Sequence, residues 1–287
     1  MRFPILALFL LLPAPACLAQ PGPASPAATC GEVVTIETHN RSTTRYSLAH
    51  PEGAGTPTGR IALVLLPGGP GHVDLDDKGC ARALKGNSLV RSIPLFRAAG
   101  FATALVDAPS NYHGEDGLGG FRIAAQHAED LGKVIADLRA RTKGLVWLVG
   151  TSRGSISAVN AAARLSGPSA PDGVVITSAL MSGQSGAKKT WVAHTVFDLR
   201  LEAIRIPILV IGHAADTCAR SPANLMGNIT ERTNGAREQV VTVTGGPGSS
   251  TGGPSLQACE GRAPHGFVDQ EVEVAAGIAR FIHGGHY

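Results

Sequence analysis

Residues 61–66 read IALVLL, an apolar run with no polar position and therefore no side suited to water. A run this short reads as a strand buried on both faces, which is the signature of a parallel sheet covered by helices. Similar runs recur at Phe101–Asp107, Leu145–Val149, Gly173–Ser178, Ile206–Ile211 and Gln239–Val243. Helical patterns lie between them, at Leu89–Ala99, Ile123–Arg141 and Arg153 to about Leu165, and Val272–Ile282 closes the chain. In the second of these, Ala124, Ala128, Leu131, Val134, Ile135 and Leu138 fall on one face. Val33–Thr38 and Thr43–Ala49 read as an antiparallel pair ahead of the repeating pattern. Alternating β and α units predict an α/β fold: an open, mainly parallel sheet with helices on both faces. No internal repeat interrupts residues 32–287, which read as one domain.

The N-terminus has a different character. Arg2 precedes the apolar stretch Ile5–Leu12, and small residues follow in two A-x-A-like settings, Ala14-Pro15-Ala16 and Cys17-Leu18-Ala19. Residues 1–19 therefore read as a signal peptide, far short of the roughly 20 apolar residues that span a bilayer. A second reading places a lipid anchor on Cys17, although Ala14 stands where lipoprotein signals normally carry Leu. Residues 20–31 form a Pro- and Ala-rich leader without hydrophobic period. The expected location is periplasmic or secreted. The formal charge is only +3, and no Lys/Arg cluster is interleaved with aromatics, so nothing predicts a nucleic-acid partner. Beyond the signal the cysteines number four, Cys30, Cys80, Cys218 and Cys259, which an exported chain would pair in one of three ways. No C-x-x-C spacing predicts a zinc site.

Gly150-Thr151-Ser152-Arg153-Gly154 fits G-x-S-x-G, with the apolar strand 145–149 before it and a helical pattern after it. That strand–turn–helix context is what the motif requires to present a serine hydroxyl above a sheet edge. Glycines at both ends leave room where strand and helix cross. The plainer reading is a serine helix cap flanked by turn glycines.

On these residues the chain resembles α/β hydrolases over nearly the whole domain. Pro67-Gly68-Gly69-Pro70-Gly71 stands where that fold carries its oxyanion loop, and is similar to the H-G-G-P-G segment of proline iminopeptidase-like hydrolases, with Pro67 in place of His. The resemblance implies Ser152 as nucleophile, with backbone N–H groups of Gly69 and Arg153 binding the oxyanion, and Gly68 as the fallback donor. It also implies the order serine, acid, histidine. Asp216, just after the strand at 206–211, is the expected acid, ahead of Asp107, Asp172 and Asp198. His265 is the expected base among ten histidines, ahead of His283 and His286, with His213 beside the acid and His72 and His113 at the mouth of the cleft. If Asp216 and His265 meet as the family triad requires, Cys218 and Cys259 meet with them and form a disulfide, which leaves Cys30 for Cys80.

The resemblance further implies an acyl-enzyme mechanism without cofactor or metal, acting on a small-molecule carboxylic ester. An amide or peptide substrate is the alternative, and a non-catalytic binding protein on the same fold is the alternative of another class. The short stretch 180–205 predicts no large cap domain and an open cleft. The Gly-rich segment 245–254 reads as a surface loop, and Arg153, a cation in a helix's first turn, is expected to pair with a loop carboxylate, the alternative partner being an acidic group on the substrate.

Overall fold

The computed structural model describes residues 29–52, 61–248 and 252–287. The signal peptide, most of the leader and the middle of the 245–254 loop lie outside them. Eight strands form one sheet: β1 (Glu32–Glu37), β2 (Thr43–Ala49), β3 (Ile61–Leu66), β4 (Ala102–Val106), β5 (Leu145–Thr151), β6 (Gly173–Thr177), β7 (Ile208–His213) and β8 (Glu238–Val243). Their spatial order is β1-β2-β4-β3-β5-β6-β7-β8. β1 with β2 and β2 with β4 are antiparallel, and every other pairing is parallel. Four long helices cover the sheet: α1 (Ser88–Ala98), α2 (Ala125–Thr142), α3 (Gly154–Arg164) and, after the single turn α4 (Gly227–Thr230), α5 (Glu271–Ile282).

β3 shows why the run at 61–66 has no polar residue. Ala62, Val64 and Leu66 pack into a core with α2 and α3, whereas Ile61, Leu63 and Leu65 pack into a second core with α1 and α5. Every residue of the strand is buried, because one strand serves two cores. Element bounds differ from the sequence expectation by a residue or two. β7 begins at Ile208, since Pro207 has no N–H to give to the ladder. The helix expected from Ile123 starts at Ala125, because Gly119–Ile123 winds as a 3-10 turn first.

The segment expected to lack a cap does lack one: residues 180–205 hold only three short 3-10 turns, at Thr190–Ala193, Val196–Asp198 and Leu201–Ala203. Disulfides join Cys30 to Cys80 and Cys218 to Cys259. The first ties the start of the described chain to the loop between β3 and α1. Among the described residues no helix is long and apolar enough to cross a membrane.

Candidate active site

The carboxyl ends of the parallel strands converge on Ser152, between β5 and α3. Its φ is +51°, a left-handed conformation that L-residues with side chains adopt only under constraint. The constraint comes from close backbone approach on either side. A Cβ on Gly154 would stand 1.9 Å from Leu66 O, and one on Gly150 would stand 2.5 Å from Gly154 O, so only glycine fits at either position. The Ser152 amide donates to Thr177 O at 3.0 Å, which pins the turn to β6. Ser155 donates its side-chain hydroxyl to Ser152 O at 2.6 Å and receives Leu180 N–H at 3.1 Å.

The Pro67–Gly71 loop leaves β3 directly beside this turn. A Cβ on Gly68 would meet the Ser152 Cβ at 2.8 Å, and Gly69 holds a positive φ of +57°. The N–H groups of Gly68, Gly69 and Arg153 find no acceptor among the described residues. The loop's carbonyls, by contrast, are occupied. Arg122, fully buried, donates to Pro67 O at 3.1 Å, to Gly69 O at 3.3 Å and to Ser157 Oγ at 2.7 Å. Burial, with Arg153 nearby, pushes the Arg122 guanidinium down to about 9. Ser157 in turn contacts His127 Nε2 at 2.8 Å, and burial first, then the positive Arg122, pushes the His127 imidazole down to about 3. His127 is therefore neutral throughout the ordinary pH range.

The opposite wall comes from the loops after β7 and β8. Asp216 Oδ1 receives Cys218 N–H at 2.8 Å, and Oδ2 lies 2.9 Å from His265 Nδ1. Both side chains are almost fully buried. His265 sits in the turn Pro264–Gly266, whose position is set from three directions. Ser178 donates to His265 O at 2.7 Å, Arg91 donates to Gly266 O at 2.8 Å and Gly261 O at 2.7 Å, and Arg91 is itself held by Glu271. The Cys218–Cys259 bond joins the two loops covalently, and Ser255 pairs with the backbone of Thr217 and Ala219 beside it. With Nδ1 engaged by the carboxylate, His265 Nε2 has no hydrogen-bond partner among the described residues. Ser152 and His265 line the same cavity of about 250 Å³, together with Gly68, Gly69 and Cys259. A second cavity of about 580 Å³ continues from it, sharing Gly69, Ser152 and Cys259. A hydroxyl, an imidazole with a free nitrogen and a carboxylate behind that imidazole are the parts of a nucleophile, base and orienting group.

The remaining acids and histidines named in the sequence sit elsewhere. Asp107 ends β4 and receives the N–H groups of Val73, Leu75 and Ala108, so it fixes the chain just past the Gly71 turn. His72 binds that carboxylate at 2.9 Å and stacks on His113, and neither ring lines the cleft. Asp172 receives Val146 N–H and pairs with Arg139, while Asp198 closes the cap of a 3-10 turn. His213, buried at the end of β7, contacts Gln270 and Gly245 O through Nε2 and receives Ala215 N–H on Nδ1, which shapes the turn into Asp216. His283 stacks on Phe101, away from the site.

Arg153 departs from expectation. No carboxylate among the described residues lies within ion-pair distance of it. Its guanidinium lies over Trp191 instead, 4.2 Å from the ring centroid. Asp116, whose charge reaches Arg153, is engaged by Lys189. Sequence reading also missed Arg122, Arg220 and Trp191, because no local pattern specifies which loop a guanidinium or indole will reach.

No protein-family model and no curated protein matches this chain. Solved structures do. A soluble variant of monoglyceride lipase from Saccharomyces cerevisiae aligns with a TM-score of 0.61 and 11% identity, over 92% of this chain and 98% of the lipase. Proline iminopeptidase from Mycobacterium smegmatis aligns with 0.58 and 12%, over 88% and 98%. An α/β serine hydrolase without lid from Xanthomonas campestris aligns with 0.53 and 14%, over 88% and 97%. At such identities the likeness is one of architecture. The protein has the α/β-hydrolase fold, in a form without a large cap.

Proposed function

We propose that this protein is an exported serine hydrolase that cleaves carboxylic esters of small or medium size through an acyl-enzyme on Ser152. One observation carries the reading. A serine held at a φ of +51° on a strand-to-helix turn shares a cavity with a histidine whose Nε2 is free and whose Nδ1 is held by a buried carboxylate. In the first step Ser152 Oγ bonds to the acyl carbon, and its proton passes to His265 Nε2. The bond to the leaving alkoxide breaks as His265 returns that proton to it. Water then attacks the acyl-enzyme, again giving its proton to His265, and the acid leaves as Ser152 is restored. Asp216 holds the imidazole tautomer and stabilises the imidazolium. Gly69 and Arg153 donate their free backbone N–H groups to the oxyanion, with Gly68 adjacent as the fallback. The neighbours named above as a lipase, a peptidase and a serine hydrolase support hydrolysis as the reaction class, and two disulfides fit an oxidising compartment.

Fluorophosphonate labelling of the purified protein beside Ser152→Ala tests the reading, followed by p-nitrophenyl esters against aminoacyl anilides. We expect label on the wild type alone and faster turnover of the esters. Faster anilide turnover would move the activity to amide bonds. Equal labelling of both proteins would remove Ser152 from its role, and no labelling with no turnover would leave a binding protein on a hydrolase fold.

A further inference from the structure

Two arginines line the cleft beside the nucleophile. Arg153 and Arg220 line the 580 Å³ cavity with Ser152. Arg220 is 8% exposed, and its guanidinium donates a 2.7 Å hydrogen bond to Gln184 Oε1, the one side-chain hydrogen bond it makes among the described residues. Its backbone carbonyl receives the N–H groups of Met181 and Ser182, so the residue is anchored at its base. Arg153 is braced by Trp191 as described. Among the described residues neither guanidinium has a carboxylate within ion-pair distance, and Asp116, the acid whose charge reaches Arg153, is engaged by Lys189. Burial and the charge of Arg220 push the Arg153 guanidinium down to about 10, which leaves it a cation at neutral pH. Two like charges held side by side and half out of water cost stability unless something negative answers them. A cation at the N-cap of α3 also opposes that helix's dipole. Fixed, unpaired, planar guanidinium donors in a cleft match a carboxylate in charge and geometry.

We propose that Arg153 and Arg220 form an anion subsite beside Ser152, and that the preferred substrates are esters bearing a free carboxylate. The inference rests on the ester-hydrolase reading above for its substrate class. The pair binds the substrate's carboxylate while the ester carbonyl lies over Ser152. Trp191 fixes one guanidinium and Gln184 the other, so the carboxylate meets preorganised donors. Lys188, also lining the cavity, adds positive potential at its rim.

The test compares pairs in which a methyl ester masks that charge. On the acyl side, mono-4-nitrophenyl glutarate is set against its methyl ester. On the alcohol side, 4-acetoxybenzoate is set against methyl 4-acetoxybenzoate. In the wild type we expect kcat/KM to favour the anion about 10- to 100-fold in at least one pair, as charged hydrogen bonds in a cleft allow. That ratio should shrink in high salt. It should fall to within about twofold of unity in Arg220→Gln and in Arg153→Met, whatever those changes do to the neutral ester, because only the charged contact is then missing. Calorimetric titration of glutarate into Ser152→Ala protein gives a readout that needs no turnover, and thermal melts establish that each variant is folded. Ester turnover with no anion preference in either pair would overturn the subsite and leave the hydrolase reading standing. No turnover of any ester, with glutarate binding lost in both arginine variants, would overturn the hydrolase and keep the subsite. No turnover and no glutarate binding would overturn both.

Discussion

The two walls of the cleft are held in place by different means. On the nucleophile wall the turn at Ser152 and the Pro67–Gly71 loop interlock through backbone alone, with glycines at 68, 150 and 154 closing gaps that no Cβ would enter. A buried, unpaired arginine then ties down the loop's carbonyls. On the acid–base wall the loops after β7 and β8 are long and irregular, and a disulfide with a few side-chain bonds to carbonyls holds them. Close packing positions a group when the chain is short and local. Loops that meet across 41 residues of sequence carry a larger entropy of closure, and here a covalent bond offsets it.

Four experiments separate the two walls. The largest effect is expected from Asp216→Asn, which keeps the shape but presents the wrong tautomer to Ser152. It should lower kcat about 10⁴-fold, and a profile with kcat unchanged would take Asp216 out of the site. Next, replacing Cys218 and Cys259 together by alanine should cost about 4 kcal/mol of stability by the chain-entropy argument, read by chemical denaturation. Activity should fall with it, because the acid and base loops lose their link. Arg122→Met tests the other wall. We expect kcat about 10²- to 10³-fold lower, since a displaced loop removes an oxyanion donor. An unaltered kcat would mean the Gly turn needs no such brace.

The smallest effect is a pH slope. His127 stays neutral in the fold down to about pH 3, whereas in the unfolded chain it takes a proton near pH 6.5. The unfolded state thus binds more protons between those values, and stability falls as pH drops through that window. The loss reaches at most about 1.4 kcal/mol per pH unit. Above pH 6.5 the residue contributes no slope. Denaturation curves from pH 7.5 to 4 should show a shallower decline in His127→Gln than in the wild type, and equal declines would assign the slope to other groups.

The sheet was legible because its signal is local. A strand buried on both faces, such as 61–66, has to read as an unbroken apolar run, and βα alternation does the rest. The turn at Ser152 was legible for the same reason, since strand, glycines and helix are contiguous. Asp216 and His265 are 49 residues apart, and only their order in a known family joined them. The Arg122 clamp left no sequence signal, as two of its three partners are backbone carbonyls more than fifty residues away, which any residue could supply. Arg153 stood out as a charge opposing its helix, yet its carboxylate partner is absent among the described residues and Trp191 lies beneath it instead. An aromatic platform under a cation arises from tertiary packing, which periodicity cannot encode.

The central claim is that Ser152 carries the acyl group. Mixing the protein with p-nitrophenyl butyrate, quenching in acid before steady state and mapping peptides by mass would test it most directly. We expect a burst of p-nitrophenol and a butyryl group on the peptide containing Ser152 alone. Turnover with the acyl group on another residue, or with none on the protein at any quench time, would contradict it.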